Sequence, residues 1–248
     1  MEKNHETAIT QMRKSLEKLG ISTQNYNDAT LLRFLIARSI DIGKATKMFD
    51  EWTRWRDEFV PLGFIPDSEV PDELGDEKMY LQGLSAIGQH PVLMCKASKH
   101  FPSKDQLQFK KFVVHLLDKT IASFKDGKEI GNEKLISILD LEKISYKNVD
   151  ARGFIIGFQF LQAYYPERLA KAYLLNMPWF FVRVWKMISY FLEKATQEKI
   201  VIVCNEEQRK DFVYQVGEDA LTEDYGGRGK LVLVQDVTVD HFPIPSKK

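Results

Sequence analysis

From His90 onward, short apolar runs alternate with longer stretches of helical periodicity. HPVLMCKAS reads as a strand and KDQLQFKKFVVHLLDKTIASF as a helix; EKLISILDLEK and DARGFIIGFQFLQAYYPERL repeat the pair. KAYLLNMP, then NMPWFFVRVWKMISYFLEKA, then EKIVIVCN and EEQRKDFVYQVG continue the same rhythm. Strands spaced by helices are βαβ units, and these require a mainly parallel sheet covered by helices. The expected class is therefore α/β.

The chain before this region reads differently. ETAITQMRKSLEKLG has helical spacing and stops at Gly20; DATLLRFLIARS follows with Asp28 as the expected N-cap; DIGKATKMFDEWTRWRDEF opens at Asp41. Ala45, Met48, Phe49, Trp52 and Trp55 share one face of the last segment. A loop rich in Pro, Gly and acid, PLGFIPDSEVPDELGDEK, separates these helices from the rest. The expected organisation is a helical lobe over 1–70, an α/β lobe over 71–240 and a tail over 241–248.

One helix carries more apolar surface than its place in such a fold demands. Between Asn176 and Ala195, Arg183, Lys186, Tyr190, Glu193 and Lys194 recur every three or four positions, leaving roughly 220° of the circumference apolar. A surface helix needs about 100°. Either this helix is sandwiched between layers, or one flank faces a cavity. Phe181, Trp185 and Ile188 lie at i, i+4 and i+7 and are assigned to that inner flank.

Composition narrows the classes. The 248 residues are 44% hydrophobic and 28% charged, with no net charge. That balance fits a globular core and argues against a nucleic-acid partner, which calls for a basic excess. It permits transient contact with a membrane but not long electrostatic residence. Cys95 and Cys204 sit in apolar runs and read as buried free thiols. No apolar leader or ~20-residue apolar span occurs, so a cytoplasmic protein is expected. Enzyme motifs are also missing. GLSAIG lacks the second glycine of a nucleophile elbow, and YGGRGK lacks the first glycine of a phosphate loop. The histidines show no zinc spacing; His90 and His100 read as loop or surface residues. No metal, no cofactor and no enzymatic activity are expected.

LLRFLIAR and WRDEF in the helical lobe, ILDLEKIS, YYPERLAKAYLLNMP, EKI before the last apolar run and LTEDYGG follow one another in a fixed order. In this the chain resembles the CRAL-TRIO lipid-transfer family over roughly residues 25–235. The resemblance implies a helical lobe joined to an α/β lobe that encloses one lipid in an apolar cavity, with a mobile helix as gate. The stretch from Asn176 takes the gate's place. A lipid of about thirty methylenes, each worth ~0.8 kcal/mol out of water, needs a dry cavity and a wall that can swing toward a bilayer.

The same resemblance implies the polar site. The residues matching the family's phosphatidylinositol headgroup positions are Arg38, Glu167, Thr196 and Lys199. Lys199 and Thr196 would serve the phosphate, Glu167 the inositol hydroxyls, and Arg38 would pair with Glu167. Ala170 stands where relatives often carry Gly, and its methyl would tighten this pocket. Relatives that also carry phosphatidylcholine use tyrosine and a Ser/Thr pair where this chain has Leu93, Leu135 and Ser137, so a different second lipid is implied. The expected function is a monomeric phosphatidylinositol-binding or transfer protein, with bound phospholipid as ligand. The alternatives are a carrier of a sterol-, tocopherol- or retinoid-like ligand, and a scaffold that transfers nothing.

Overall fold

The computed structural model describes residues 3–123 and 133–239. The tail expected over 241–248 lies outside them. In chain order the elements are α1 (Lys3–Lys18), α2 (Asp28–Ala37), α3 (Ile42–Phe59), α4 (Pro71–Gly75), β1 (Met79–Leu84), β2 (Pro91–Lys96), α5 (Gln106–Ala122), β3 (Leu135–Asp140), α6 (Ala151–Tyr164), β4 (Leu169–Leu175), α7 (Phe181–Ser189), α8 (Lys194–Gln197), β5 (Ile200–Val203) and α9 (Glu206–Val216). Side-chain caps start the longer helices: Asp41, Asp105, Asp150 and Asn205 each accept from a backbone N–H in the first turn. The cap of α2 is Asn27, one residue before the expected Asp28.

The sheet runs β1-β2-β3-β4-β5, with β1 antiparallel to β2 and the other pairs parallel. Sequential strand order and right-handed crossovers put α5, α6 and α7 on one face of the sheet. Alternation along each strand then sorts the side chains. Tyr80, Val92, Met94, Ile136, Ile138, Tyr173 and Leu175 point away from those crossovers and close on Phe212 and Val216 of α9. Leu93, Leu135, Ser137, Leu139, Ala172 and Leu174 point toward them.

β1 was not anticipated. It is an edge strand whose Gln82 is buried, and that side chain donates to Lys230 O and accepts from Val232 N. Those partners lie about 150 residues away, so no local pattern announces them. In the helical lobe α1, α2 and α3 share a core of Met12, Leu16, Leu31, Leu35 and Phe49.

Candidate functional site: an apolar cavity and the strand ends beside it

A cavity of about 210 Å³ lies between the sheet and the α5–α6 layer. It follows from small residues on facing surfaces. Across the sheet Leu93, Ser137, Ala172 and Ile200 form one register row, and the two central strands contribute its smallest members. Opposite them, α6 contributes Gly153 and Gly157. A Cβ on Gly157 would meet nothing within 4 Å. Phe109, Phe112, Phe154 and Phe158 add aromatic rings to the wall, beside leucines of α5 and α6.

One end of the cavity is polar. Lys78, only 2% exposed, reaches Glu73 at 2.5 Å and Asp76 at 3.0 Å. His100 Nε2 lies 3.1 Å from Asp150, so this loop histidine is a largely buried partner of the α6 cap. Cys95 also lines this end, and burial pushes its thiol up to about 12, which leaves it neutral. Both cysteines are free, but Cys204 is exposed just beyond β5, not buried as its apolar run suggested.

Phe181, Trp185 and Ile188 are buried as expected, yet they do not line the cavity. They pack beside α6 and onto Leu174, Ile200 and Ile202 of the sheet, with Phe181 against Phe154 (5.8 Å between ring centroids) and Trp185 against Phe158 (6.4 Å). Phe154 and Phe158 thus stand between helix and cavity. The helix itself is shorter than the apolar stretch. It ends at Ser189, where Gln197 Nε2 donates to the carbonyls of Ser189 and Leu192 and Gln162 accepts from Glu193 N–H. Among the described residues, nothing covers its other flank. Val182, Met187, Phe191, Trp179 (81% exposed) and Tyr190 (86%) face solvent beside the exposed Arg183, Lys186 and Lys194. The surplus apolar surface noted in the sequence is therefore an exposed patch.

The polar residues gather at the N-terminal ends of the parallel strands. Glu167 precedes β4, and Lys199 precedes β5. Lys199 Nζ lies 3.3 Å from Glu167 Oε2, and Lys199 N–H donates to Thr196 O at 3.1 Å. Lys134, which precedes β3, lies 3.7 Å from the same carboxylate oxygen. Glu167 adopts a left-handed backbone (φ 55°), unusual for a residue with a side chain. Arg38 does not join them. Its guanidinium turns back to Ala37 O at 2.9 Å, and among the described residues no ion pair links it to Glu167. The two lysines already hold that carboxylate. Ala170 packs against the α9-side core.

Other residues join the lobes. Arg56 grips Asp118 through two contacts of 3.0 and 2.8 Å, and Tyr165 donates to Asp118 at 2.8 Å. Arg33 meets Glu133 at 3.2 Å. Trp55 stacks on Tyr164 with 3.7 Å between centroids. The WRDEF and YYPERL stretches are thus physical partners. A carboxylate inside the apolar run VVHLLDKT was the visible sign that Asp118 needed one.

Residues 77–227 match the CRAL/TRIO domain. The chain belongs to the CRAL/TRIO family. It is 28% identical to the CRAL-TRIO domain-containing protein YKL091C of Saccharomyces cerevisiae, over 92% of this chain and 79% of that protein. It is 27% identical to the SEC14 cytosolic factor of Eremothecium gossypii, over 92% and 77%. The phosphatidylinositol/phosphatidylcholine transfer protein SFH4 of Arabidopsis thaliana is 27% identical over 88% of this chain and 38% of that protein. Among solved structures, the crystal structure of Sfh5 superposes with a TM-score of 0.71 at 19% identity, covering 96% of this chain and 92% of that one. At that identity the likeness speaks for the fold alone.

Proposed function

We propose that this protein binds phosphatidylinositol and exchanges it between membranes, or presents it to enzymes that modify it. No bond is made or broken in this process. The carrying observation is the pairing of a cavity floored by Ser137 and Ala172 with a cationic cluster at the ends of the same strands. The cavity wall includes Leu135 and Leu169, which directly follow Lys134 and Arg168. Acyl chains would occupy the apolar space, and the phosphate would meet Lys199 and Thr196. Glu167 would accept from the inositol hydroxyls, with Arg38 free to turn toward them. The name of the SFH4 relative, a phosphatidylinositol/phosphatidylcholine transfer protein, supports the lipid class.

At about 210 Å³ the cavity is below the ~300–1,000 Å³ of ordinary ligand pockets. Two acyl chains therefore require the α6–α7 wall to move outward. α7 suits that motion, since only one of its flanks is packed. Its exposed flank is apolar and aromatic with lysine and arginine at the rim, the composition that settles at a bilayer surface. Trp179→Glu with Phe191→Glu is expected to weaken association with neutral vesicles about tenfold or more while leaving the melting temperature unchanged. Vesicle flotation reads this, and unchanged flotation would remove the docking role.

Lys199→Ala is expected to lower phosphatidylinositol transfer between vesicles roughly tenfold to a hundredfold, as suits a charge-assisted contact worth about 1.5–3 kcal/mol. Undiminished transfer would dismiss the headgroup assignment. The cavity's size and the apolar Leu93 and Leu135 favour a second reading, a carrier of a smaller hydrophobic molecule such as a sterol. Mass spectrometry of lipid extracted from the purified protein separates the two.

A further inference from the structure

Lys134 lies outside the set of residues that the family resemblance marks. The strand order β3-β4-β5 puts the segment before β4 between those before β3 and β5. Glu167 therefore stands between Lys134 and Lys199, and its left-handed backbone presents one oxygen to both: Oε2 is 3.7 Å from one ammonium and 3.3 Å from the other. Among the described residues no other carboxylate lies within ion-pair distance of either lysine. Each lysine is about a quarter exposed, so an incoming anion can reach them.

Two cations on one carboxylate leave a positive charge in a chain whose total is zero. Arg33 and Arg168 also stand close by, with the Glu133 carboxylate paired to Arg33. Next to Glu167, the Arg168 guanidinium is pulled down to about 9, first by burial and then by the nearby charge of Arg33. A phosphodiester carries one negative charge, which Lys199 alone can answer. A phosphomonoester carries nearly two at neutral pH and offers three terminal oxygens. Lys134 supplies the charge that the second ionisation calls for, and both ammonium groups already converge on a single anionic oxygen, Glu167 Oε2.

We propose that Lys134 and Lys199 form a clamp for a lipid phosphomonoester, so that Lys134 sets a preference for phosphorylated inositol lipid or phosphatidate over phosphatidylinositol. This rests on the headgroup reading above. Glu167 holds the lysines together before the phosphate arrives and turns to the hydroxyls afterwards.

The test is flotation of the full chain with phosphatidylcholine vesicles containing equal fractions of phosphatidylinositol, a phosphatidylinositol monophosphate or phosphatidate. The wild type is expected to bind monophosphate vesicles at least tenfold more tightly than phosphatidylinositol vesicles. Lys134→Met is expected to erase that ratio by lowering monophosphate binding at least tenfold more than phosphatidylinositol binding, and Lys134→Arg to keep it. A preference shared by phosphatidate places recognition in the phosphomonoester itself; one confined to the inositol lipid adds the ring hydroxyls. Equal losses for all lipids in Lys134→Met would mean that Lys134 merely props Glu167, and the inference falls. It falls as well if the wild type binds phosphatidylinositol without the preference. A wild type that binds none of the three overturns the headgroup reading together with it.

Discussion

Gly157→Leu is expected to abolish lipid uptake and to raise the melting temperature. Most changes that destroy binding also weaken the fold, so the opposite signs make this substitution informative. Gly157 lies in the middle of α6 and lines the cavity, and nothing stands within 4 Å of where its Cβ would be. Leucine there gains about 0.5–1 kcal/mol in helix propensity. Burying its side chain adds about 1.5–3 kcal/mol, offset by about 0.5–1 kcal/mol of lost rotamer freedom. A net gain near 2 kcal/mol raises the melting temperature by roughly 4–8 °C in a domain of this size.

The same side chain takes up a substantial part of a space of about 210 Å³, between the Ser137–Ala172 floor and α6. Uptake of fluorescent phosphatidylinositol is expected to fall more than tenfold. Gly153→Ala is the contrasting substitution. Its Cβ would run into the Asp150 carboxylate, which caps α6 through Gly153 N–H and also meets His100. Loss of that cap costs about 0.5–2 kcal/mol, so this variant melts lower. Wild-type uptake by a folded Gly157→Leu protein would place the lipid site elsewhere.

What could be read in the sequence divides along a physical line. The alternation after His90 records burial on a period that each segment carries by itself, so the parallel sheet and its crossover helices were legible. So was the packed flank of α7, because Phe181, Trp185 and Ile188 repeat at helical spacing. The cavity wall was not. Phe154 and Phe158 line it, while the residues assigned to it pack beside them on the sheet, and periodicity gives the direction of a side chain but not what it meets. The glycines of α6 signal nothing by themselves; only the facing row of Ser137 and Ala172 turns them into space. Polar partners were the least legible of all. Arg38 lies in the stretch that carries the resemblance, yet it folds onto its own helix end, while Lys134 meets Glu167 only because β3 and β4 are neighbours. The end of α7 depends on Gln197 and Gln162, side chains whose capping role is set by the tertiary fold.

Arg56→Met is expected to produce the largest loss of stability among single substitutions at the junction of the lobes. Burial works against the Arg56 charge, but the adjoining Asp118 carboxylate outweighs it and holds the guanidinium more firmly protonated than usual. The guanidinium also donates to Gly63 O at 2.9 Å, so one side chain ties α3, the loop after it, α5 and the end of α6. Removing it leaves Asp118, 2% exposed, with Tyr165 but without its cation. Stranding one member of a buried pair costs about 3–5 kcal/mol, or roughly 10 °C in melting temperature. The cost comes from the abandoned charge rather than from lost attraction. The double substitution Arg56→Met with Asp118→Leu is therefore expected to recover most of the loss, and Tyr165→Phe alone to cost about 1–3 kcal/mol. Thermal melts of these variants decide the matter. If the double variant melts no higher than Arg56→Met, the pair is needed for its geometry and the desolvation account fails; if Arg56→Met melts like the wild type, the lobes are held by the Trp55–Tyr164 stack and its apolar neighbours instead.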